Sequence, residues 1–307
     1  MIKRNLPDEL MFLRNRKLAQ HETNVSLKDK VCVISGATSG VGLEATKQLV
    51  QAEAHVVIIA RNPDKAHQLK QDMYRQFGQW IDIIIADFSS LDDVRAAANT
   101  LLNNYSTIDI LINCAGIHST KKTYTSEGFE TVFCVNHLAP FLLTNLLLRR
   151  MIASAPSRIL HVNSEGHRFN GLNINDLQWK KRIYTGLRGY GASKTAQLLT
   201  MWEINDQLKG TGVTINAMHP GDVKTNIGSN NGWLYRLFSK HVTQRLLQDP
   251  SISGKSIYYL VADPNLASVS GQFFHLTINE KPAKHALNRT IGKRVYDISK
   301  QLTGLSD

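Results

Sequence analysis

The sequence predicts an α/β fold: a single doubly wound domain in which helices flank a parallel sheet of about seven strands. Short apolar runs alternate with helix-like segments along the chain, and parallel neighbours in a sheet need crossover connections of this kind. No Pro-, Gly- or Ser-rich linker divides the 307 residues, a length that suits one large α/β domain. We therefore expect residues 29–307 to form one domain, preceded by a polar arm over residues 1–28.

The first half of the chain supplies four of the expected strands. The apolar run Lys30–Ser35 ends at a glycine, as is typical of a buried parallel strand. A helical pattern over Val41–Ala52 separates it from the second apolar run, His55–Ala60. Pro63 opens the next helix, because proline is favoured at the first helical position. Two further strands are predicted at Ile81–Ala86 and Ile108–Asn113, with a helix near residues 90–104 between them.

The second half continues the alternation. A long helical pattern near residues 128–153 precedes the strand-like run Arg158–Asn163. A second long helix is expected near 190–208. Strands at Val213–Met218 and Gln272–Leu276 complete the set. The two long helices and the buried strand type predict that both faces of the sheet are covered.

Composition narrows the class of protein. Cys32, Cys114 and Cys134 lie inside apolar runs and are interpreted as small buried hydrophobes in a reducing compartment. No stretch approaches 18 consecutive apolar residues, and the N-terminus lacks the apolar core of a signal peptide. We therefore predict no membrane-spanning helix and a cytoplasmic location. The formal charge of +11 is interpreted as a diffuse basic surface that also suits an anionic cofactor or an acidic membrane surface, and no basic-aromatic repeat points to nucleic acid.

A glycine-rich loop follows the first predicted strand and opens the first helix, with the spacing Gly36-x-x-x-Gly40-x-Gly42. Glycine there allows a tight turn, a close backbone approach to phosphate and close helix packing. Backbone N–H groups and the positive end of the helix then stabilise a pyrophosphate. The loop predicts a Rossmann-type dinucleotide site, the alternative being an ordinary strand-to-helix turn. Its predicted cofactor contacts are Gly36, Thr38, Ser39, Gly40, Val41 and Gly42.

The end of the second strand indicates which dinucleotide binds. An NAD enzyme would place an acidic residue there to bind the ribose hydroxyls, but this chain has Arg61 and Asn62. A guanidinium pairs with a 2′-phosphate through charge-assisted hydrogen bonds, whereas a carboxylate would repel it. We predict that Arg61 and Asn62 contact NADP(H), in preference to NAD(H). The alternative is that Arg61 is a solvated loop residue.

Tyr190 and Lys194 lie four residues apart, so they share one face of a helix. A free tyrosine has a pKa of about 10, whereas a general acid or base needs a pKa nearer the working pH. A neighbouring ammonium favours the phenolate, as does the positive ring of an oxidised nicotinamide. We therefore predict that Tyr190 is a general acid/base and that Lys194 lowers its pKa. An amphipathic helix with a buried tyrosine and a solvated lysine is the structural alternative.

Together these motifs resemble the short-chain dehydrogenase/reductase family over about residues 28–305. The family carries T-G-x-x-x-G-x-G in the loop, and Ser35 stands at the threonine position and keeps the hydroxyl. The family also carries N-N-A-G at the end of the fourth strand. The corresponding segment Asn113–Gly116 departs from it only by the cysteine at the second position.

The resemblance implies a catalytic set of Asn136, Ser164, Tyr190 and Lys194, and all four are present. In the family the serine hydrogen-bonds the substrate oxygen, and the asparagine holds a water that relays protons through the lysine. Ser164 follows the fifth strand, at the sheet edge where ligands bind in such folds, although it would also suit a turn cap. Pro140 disturbs the helix that carries Asn136 and would free a carbonyl for the relay.

Further cofactor contacts are implied at the strand ends. Asp87, with its neighbour Phe88, matches the position that contacts adenine, and Asp87 is also a candidate cap for a helix starting near Ser89. Asn113 is expected to brace the sheet. The loop after the sixth strand resembles the Pro-Gly loop over the nicotinamide, although Pro-Gly is also a common turn signal. The implied contacts are Asp87, Phe88, Asn113, Ala115, Gly116, Tyr190, Lys194, Pro220, Gly221, Val223 and Thr225.

Other stretches resemble the branch of retinol dehydrogenases and protochlorophyllide reductase-like enzymes. They are Asn170–Tyr184, 136–144, 154–158, 270–274 and 281–282. This resemblance implies a carbonyl or alcohol on a bulky apolar substrate. The substrate loop is expected at about 222–250, and its apolar segment Trp233–Phe238 fits a lid, an interfacial helix touching lipid or docking onto the protein's own core.

The histidines bear on metal binding, and the two long helices bear on oligomer formation. His137, His161, His167 and His219 show no metal-ligand spacing and are interpreted as satisfied structural histidines, so no metal is expected. Family members often pair through the two long helices, and the sequence leaves a homo-oligomer open.

The sequence therefore predicts an NADP(H)-dependent oxidoreductase that interconverts a carbonyl and an alcohol on an apolar substrate, with hydride passing to or from nicotinamide C4. A non-catalytic NADP-binding regulator or scaffold is the alternative. It is disfavoured by the presence of both Tyr190 and Lys194, because function depends on the site and not on the fold.

Overall fold

The computed structural model describes residue 15 and residues 18–223 and 249–305. Within them, one sheet holds eight strands in the order β3-β2-β1-β4-β5-β6-β7-β8. Every neighbouring pair is parallel except β7–β8, which is antiparallel. The strands are β1 Val31–Ser35, β2 His55–Ala60, β3 Asp82–Ile85, β4 Ile110–Asn113, β5 Ser157–Val162, β6 Val213–His219, β7 Phe273–His275 and β8 Ile278–Asn279. The predicted α/β fold is confirmed, and each of the seven predicted strands is present.

Seven helices of ten or more residues connect these strands in the described ranges. They are α1 Gly40–Gln51, α2 Pro63–Phe77, α3 Leu91–Asn104, α4 Thr131–Ala153, α5 Gly186–Gln207, α6 Ser251–Ala262 and α7 Arg289–Leu302. Their ends follow local sequence signals. Asn62 caps α2 by accepting a hydrogen bond from the Lys65 N–H, and Gly78 ends it with a φ of 71°, a conformation that glycine adopts without strain.

The core forms two layers, one on each face of the sheet. Alternate residues of β1 point to opposite faces, so Val33 lies in one hydrophobic cluster while Cys32 and Ile34 lie in the other. Helices α3, α4, α5 and α7 cover the first face, and α1, α2 and α6 cover the second. Burial on both faces explains why the strands are continuously apolar.

Helix α4 is the most apolar helix of the first layer. It is long and apolar enough to cross a membrane, but 78% of its most apolar 18-residue window is buried inside the protein. That burial is typical of a core helix. The helix also contains a wide turn over Cys134–Leu138, directly before Pro140, which cannot donate a helical hydrogen bond.

Residues 18–28 of the predicted N-terminal arm contain no helix or strand. Leu27 is buried against the second layer of the core. His21 donates its N–H to the Thr277 hydroxyl at 2.9 Å, so the arm lies against the segment that follows β7.

Candidate active site

The turn between β1 and α1 needs glycine at two positions. Gly36 has a φ of 73°, and a Cβ there would lie 2.7 Å from the Ala115 Cα. A Cβ on Gly42 would lie 2.2 Å from the Gly36 carbonyl oxygen. Ser39, the N-cap of α1, makes no side-chain capping bond, and the first turn of α1 carries no acidic residue. The turn therefore has the close packing and the free helix N-terminus that a pyrophosphate requires.

Hydrogen bonds join the ends of the central strands at this turn. The Ser35 hydroxyl accepts from the N–H groups of Cys114 and Ala115 at 3.1 and 3.2 Å. Thr144 on α4 accepts from the Asn113 side-chain amide at 3.0 Å. The same amide lies 3.2 Å from Nδ1 of His161. Ser35 and Asn113 thus fasten β1, β4, β5 and α4 together.

The predicted adenine-side residues lie at the carboxyl ends of β2 and β3. Arg61 is exposed, and its guanidinium forms no hydrogen bond or ion pair with any residue of the described ranges. The Asp87 carboxylate accepts from the Ser89 N–H at 2.8 Å. The expectation that Asp87 caps a helix starting near Ser89 is wrong, because α3 begins at Leu91 and its N-cap is Ser90.

Phe88, the other residue predicted here, lies in the core with only 6% of its surface exposed. Its side chain packs in the first layer of the core, and its carbonyl accepts from the Cys134 thiol at 3.5 Å. Asn62 holds its predicted place directly after Arg61, where its side chain is engaged in capping α2.

Tyr190 and Ser164 meet at the carboxyl end of β5. The Ser164 hydroxyl lies beside the Tyr190 phenol and favours its ionised form, and a Cβ added to Gly166 would lie 3.2 Å from this hydroxyl. The Tyr190 ring packs directly on Gly166, where an added Cβ would lie 2.5 Å from the ring. Ser164 also caps the short helical turn Glu165–Phe169, accepting from the Gly166 N–H at 3.0 Å. The functional and the capping interpretations of Ser164 therefore both hold in the geometry.

Lys194 lies one turn beyond Tyr190 on α5 and is buried, with 2% of its surface exposed. Its ammonium donates to the Val162 carbonyl at 2.8 Å and lies 5.9 Å from the centre of the Tyr190 ring. A Cβ added to Gly116 would lie 3.8 Å from Lys194 Nζ and 3.4 Å from the Asn136 side-chain oxygen. Gly116 thus marks the point where these two catalytic candidates converge.

Asn136 lies in the wide turn of α4. Its side-chain oxygen accepts from the Ile117 N–H at 2.8 Å, and its amide donates to the Ile117 carbonyl at 2.9 Å and the Ser193 hydroxyl at 3.0 Å. Because Pro140 has no N–H, the Asn136 carbonyl lacks its usual helical donor. The Gln197 amide donates to this carbonyl at 3.3 Å. The side chain therefore fixes the loop after β4, and the carbonyl is the part left for a relay.

The predicted nicotinamide loop is described as far as Val223. The Ser253 hydroxyl donates to the Pro220 carbonyl, and Gly221 has a φ of 80° beside the Leu276 side chain. Val223 is buried. Thr225 and most of the predicted substrate loop, including Trp233–Phe238, lie outside the described residues.

The sequence model of the short-chain dehydrogenases matches residues 30–232. The chain belongs to this family. Human retinol dehydrogenase 13 is 32% identical over 92% of this chain and 87% of its own length. Mouse retinol dehydrogenase 14 is 34% identical over 90% of this chain and 86% of its own length. This short-chain dehydrogenase is therefore a retinol dehydrogenase-like enzyme, an oxidoreductase acting between carbonyl and alcohol.

Solved structures agree with the fold of this short-chain dehydrogenase. A Mycobacterium paratuberculosis protein is 26% identical and superposes with a TM-score of 0.73 over 91% of this chain and 95% of its own. A Shigella flexneri short-chain dehydrogenase in complex with NADP is 20% identical and has a TM-score of 0.65 over 83% of this chain and 99% of its own.

Burial dominates the electrostatics of the site in this short-chain dehydrogenase. It raises the pKa of Tyr190 to about 12, opposed by the hydrogen bond from Ser164. It also lowers the pKa of Lys194 to about 8. The expectation that Lys194 lowers the tyrosine pKa is not met in the protein alone, because desolvation disfavours both charged forms and the ammonium bonds to Val162.

His118 is a neighbour of Tyr190 that the sequence analysis missed. The two rings meet edge-on with centroids 5.6 Å apart, and burial lowers the pKa of His118, which favours the neutral imidazole. The one signal in the sequence was its position two residues after Gly116.

Proposed function

We propose that this enzyme uses NADP(H) to interconvert a carbonyl and an alcohol on a small apolar substrate, with Tyr190 as the general acid/base. The observation that carries the proposal is the convergence of Tyr190, Ser164 and Lys194. The phenol ring and the serine hydroxyl both pack on Gly166, and the ammonium lies 5.9 Å from the centre of the phenol ring. A general acid must lie within hydrogen-bond reach of the oxygen it protonates, and the serine and the tyrosine define one place for that oxygen.

The residues around the β1–α1 turn fit a nicotinamide dinucleotide. The glycine turn leaves no space for a Cβ at Gly36 or Gly42, and the first turn of α1 presents its N–H groups without a competing side-chain cap. Gly36, Thr38, Ser39, Gly40, Val41 and Gly42 would hold the pyrophosphate. When bound there, the cofactor supplies or accepts the hydride at nicotinamide C4.

The protein's own residues handle the substrate oxygen. In the reductive direction Ser164 polarises the carbonyl by donating a hydrogen bond, and Tyr190 gives a proton to the oxygen as negative charge develops there. A tyrosine pKa of about 12 keeps the phenol protonated at neutral pH, which suits proton donation. Lys194 spends one of its three N–H groups on Val162, so two remain for the nicotinamide ribose and for the relay towards the Asn136 carbonyl.

The exposed Arg61 supports NADP(H) over NAD(H). Its guanidinium follows β2 at the sheet edge and is committed to no residue of the described ranges, so it is available to pair with a 2′-phosphate. The names of the relatives support the substrate class, since they are retinol dehydrogenases.

Replacing Tyr190 with phenylalanine tests the chemistry. We expect turnover to fall by about 10²–10⁴-fold because the proton donor is lost, while the Kd for NADPH, measured by fluorescence titration, stays within about twofold. Tyr296→Phe is the matched control, since Tyr296 lies on α7 and its hydroxyl donates to Asn145. Substrates for the assay come from a screen of retinal, quinones, steroids and aliphatic aldehydes. Full activity of Tyr190→Phe would refute the proposed role.

Replacing Arg61 with alanine tests the cofactor preference. Hydrogen bonds to charged groups contribute about 1.5–3 kcal/mol, so we expect a rise of about 10–100-fold in the Kd for NADPH and little change for NADH. Arg75→Ala, an exposed arginine on α2, is the control. Equal weakening of NADPH and NADH, or no change in either, would contradict the proposed contact.

A further inference from the structure

Two histidines and a glutamate, all common metal ligands, lie close together where β5, β6 and β7 end. His219 is the last residue of β6 and His275 the last of β7, and the two are paired directly in the sheet register. Their rings lie 5.0 Å apart between centroids. Glu165 follows Ser164 and completes a group in which one carboxylate oxygen and one nitrogen of each ring all lie within 4.8 Å of one another.

The two histidines of the cluster are buried, and polar atoms of His219 and Glu165 lack hydrogen-bond partners among the described residues. His219 and His275 expose 6% and 1% of their surface. Neither ring nitrogen of His219 has a hydrogen-bond partner among the described residues, and the same holds for Oε1 of Glu165. Buried polar groups in native proteins are rarely left without a partner. The interpretation of His219 as a satisfied structural histidine is therefore wrong.

Other buried histidines of the chain show the contrast. His137 lies 2.8 Å from the Ser299 hydroxyl, and His161 lies 3.2 Å from the Asn113 amide. His167 accepts from the Ala283 N–H at 3.0 Å through Nε2, so its Nδ1 donates to the Ser164 carbonyl at 2.7 Å. Each of these rings has at least one protein hydrogen-bond partner, whereas His219 has none, although Nδ1 of His137 also lacks a partner among the described residues.

Carboxyl groups and one guanidinium surround the two histidine rings. Arg168 forms ion pairs with both Glu165 and Glu280, so two largely buried carboxyl groups share one guanidinium. Glu280 also lies 3.9 Å from the His275 ring, and Asp222 lies 3.9 Å from the His219 ring.

We propose that Glu165, His219 and His275 bind one divalent transition-metal ion, with Zn²⁺ the best fit. Two neutral imidazoles and one carboxylate are a recurrent zinc ligand set, completed by water. Ligand atoms about 2.0–2.2 Å from zinc in a tetrahedron lie about 3.4 Å apart, so side-chain movements of about 1 Å would close the cluster around the ion. The water ligand would also offer an acceptor to Nη1 of Arg168, which lacks a partner in the described part of the chain.

The ion would link the segment after β5, which carries Ser164, to the predicted nicotinamide loop after β6. Glu165 directly follows Ser164, and His219 directly precedes Pro220. The ligands come from three strand ends that are distant along the chain, which is why no spacing in the sequence indicated a site. The proposal is independent of the redox chemistry, since the ion contacts neither Tyr190 nor Lys194.

Metal binding to the tag-free full chain tests the proposal directly. Chelator-treated protein is titrated calorimetrically with Zn²⁺, and Co²⁺ serves as a spectroscopic probe of the ligand geometry. We expect one ion per chain and a thermal midpoint that rises with Zn²⁺ concentration. Replacing a residue that only hydrogen-bonds to a ligand already weakens metal sites by about 10–100-fold, so His275→Gln and Glu165→Gln should each weaken binding by at least about 100-fold.

His137→Gln is the matched control, because it alters a buried histidine outside the cluster and should leave the Zn²⁺ affinity unchanged. If His275→Gln does not fold, the isosteric Glu165→Gln decides the question. Absence of stoichiometric Zn²⁺ binding to the wild-type chain would overturn the proposal, and so would an affinity that Glu165→Gln leaves unaltered. Either result would mean that Glu165 satisfies the histidines as a protonated acid.

Discussion

Lys194 is needed for the proposed reaction but lowers the stability of the fold. Its ammonium is buried at the centre of the catalytic group and has the Val162 carbonyl as its hydrogen-bond acceptor. Burial lowers its pKa from the ordinary 10.5 to about 8, and this shift corresponds to about 3 kcal/mol of unfavourable free energy at neutral pH. The proposed relay requires a compact, mobile proton donor beside the tyrosine. This requirement explains a lysine at a position where it lowers stability.

The replacement Lys194→Met should therefore stabilise the protein while abolishing activity. Between pH 8 and 10.5 the unfolded chain binds more protons at Lys194 than the folded chain, so wild-type stability rises with pH there. The destabilisation by Lys194 is fully present below pH 8 and is lost as the pH approaches 10.5. We expect the variant to exceed wild type by about 1–2 kcal/mol at pH 7, after loss of the Val162 hydrogen bond.

Urea denaturation of both proteins at several pH values checks this prediction, because the difference between them cancels the other titrating groups. Between pH 7 and pH 10 wild type should gain up to about 3 kcal/mol relative to the variant, so the order of stability should reverse. Lys293→Met, at an exposed position on α7, should give a small gap that does not depend on pH. A pH-independent gap for Lys194→Met would show that the ammonium is not destabilised by burial.

At the scale of elements, the β1–α1 turn is fixed by backbone contacts that no rotamer change relieves. Gly42→Ala would place a Cβ 2.2 Å from the Gly36 carbonyl oxygen, so the turn must open. We expect a loss of about 1–3 kcal/mol in the free energy of unfolding and at least a tenfold rise in the Kd for NADPH.

Gly78→Ala provides the control for that turn. Gly78 has a positive φ but no atom within 4 Å of an added Cβ, so its replacement costs about 1 kcal/mol of backbone strain without a clash. NADPH affinity should be unchanged in this variant. Equal NADPH binding by Gly42→Ala and wild type would contradict the role of the turn.

Local patterns predict the elements well, and long-range contacts account for what they miss. Apolar runs closed by polar residues or glycines identify β1 to β7 because both sheet faces are buried. The two-residue strand β8 is too short for any periodicity. Helix α5 begins at Gly186 rather than near 190 because Thr185 accepts from the Arg188 N–H, a cap that the sequence analysis did not weigh.

Some features of the site also follow from local sequence patterns, and others depend on contacts that form only in the folded protein. Tyr190 and Lys194 are close along one helix, so their pairing follows from spacing, and Ser164 follows from its position at a strand end. The raised pKa of Tyr190 depends on burial by the surrounding elements, which spacing does not encode. The pairing of His219 with His275 depends on the register of β6 against β7, and that register is set only in the folded sheet.

Across the whole molecule, the N-terminal arm is held against the C-terminal part of the sheet. The arm before β1 lies against the segment after β7, where the Gln20 side chain makes two hydrogen bonds. The Gln20 side-chain oxygen accepts from both the N–H and the hydroxyl of Thr277, at 3.0 and 2.8 Å. Thr277 is buried, with 3% of its surface exposed, and it follows His275 by two residues. The arm thereby supports the edge of the sheet that carries the proposed metal ligands.

The replacement Gln20→Ala tests this support. It removes the acceptor of two Thr277 donors in a buried position, and an unsatisfied buried donor costs about 1–3 kcal/mol. We expect urea denaturation to show a loss of that size. Gln68→Ala is the control, since Gln68 is exposed on α2 and bonds to Asp72 on the same helix, so its loss should change stability by less than about 0.5 kcal/mol. Equal stability of the two variants would mean that the arm contributes nothing to the sheet edge, and the packing of residues 18–28 against Thr277 would then be incidental to folding.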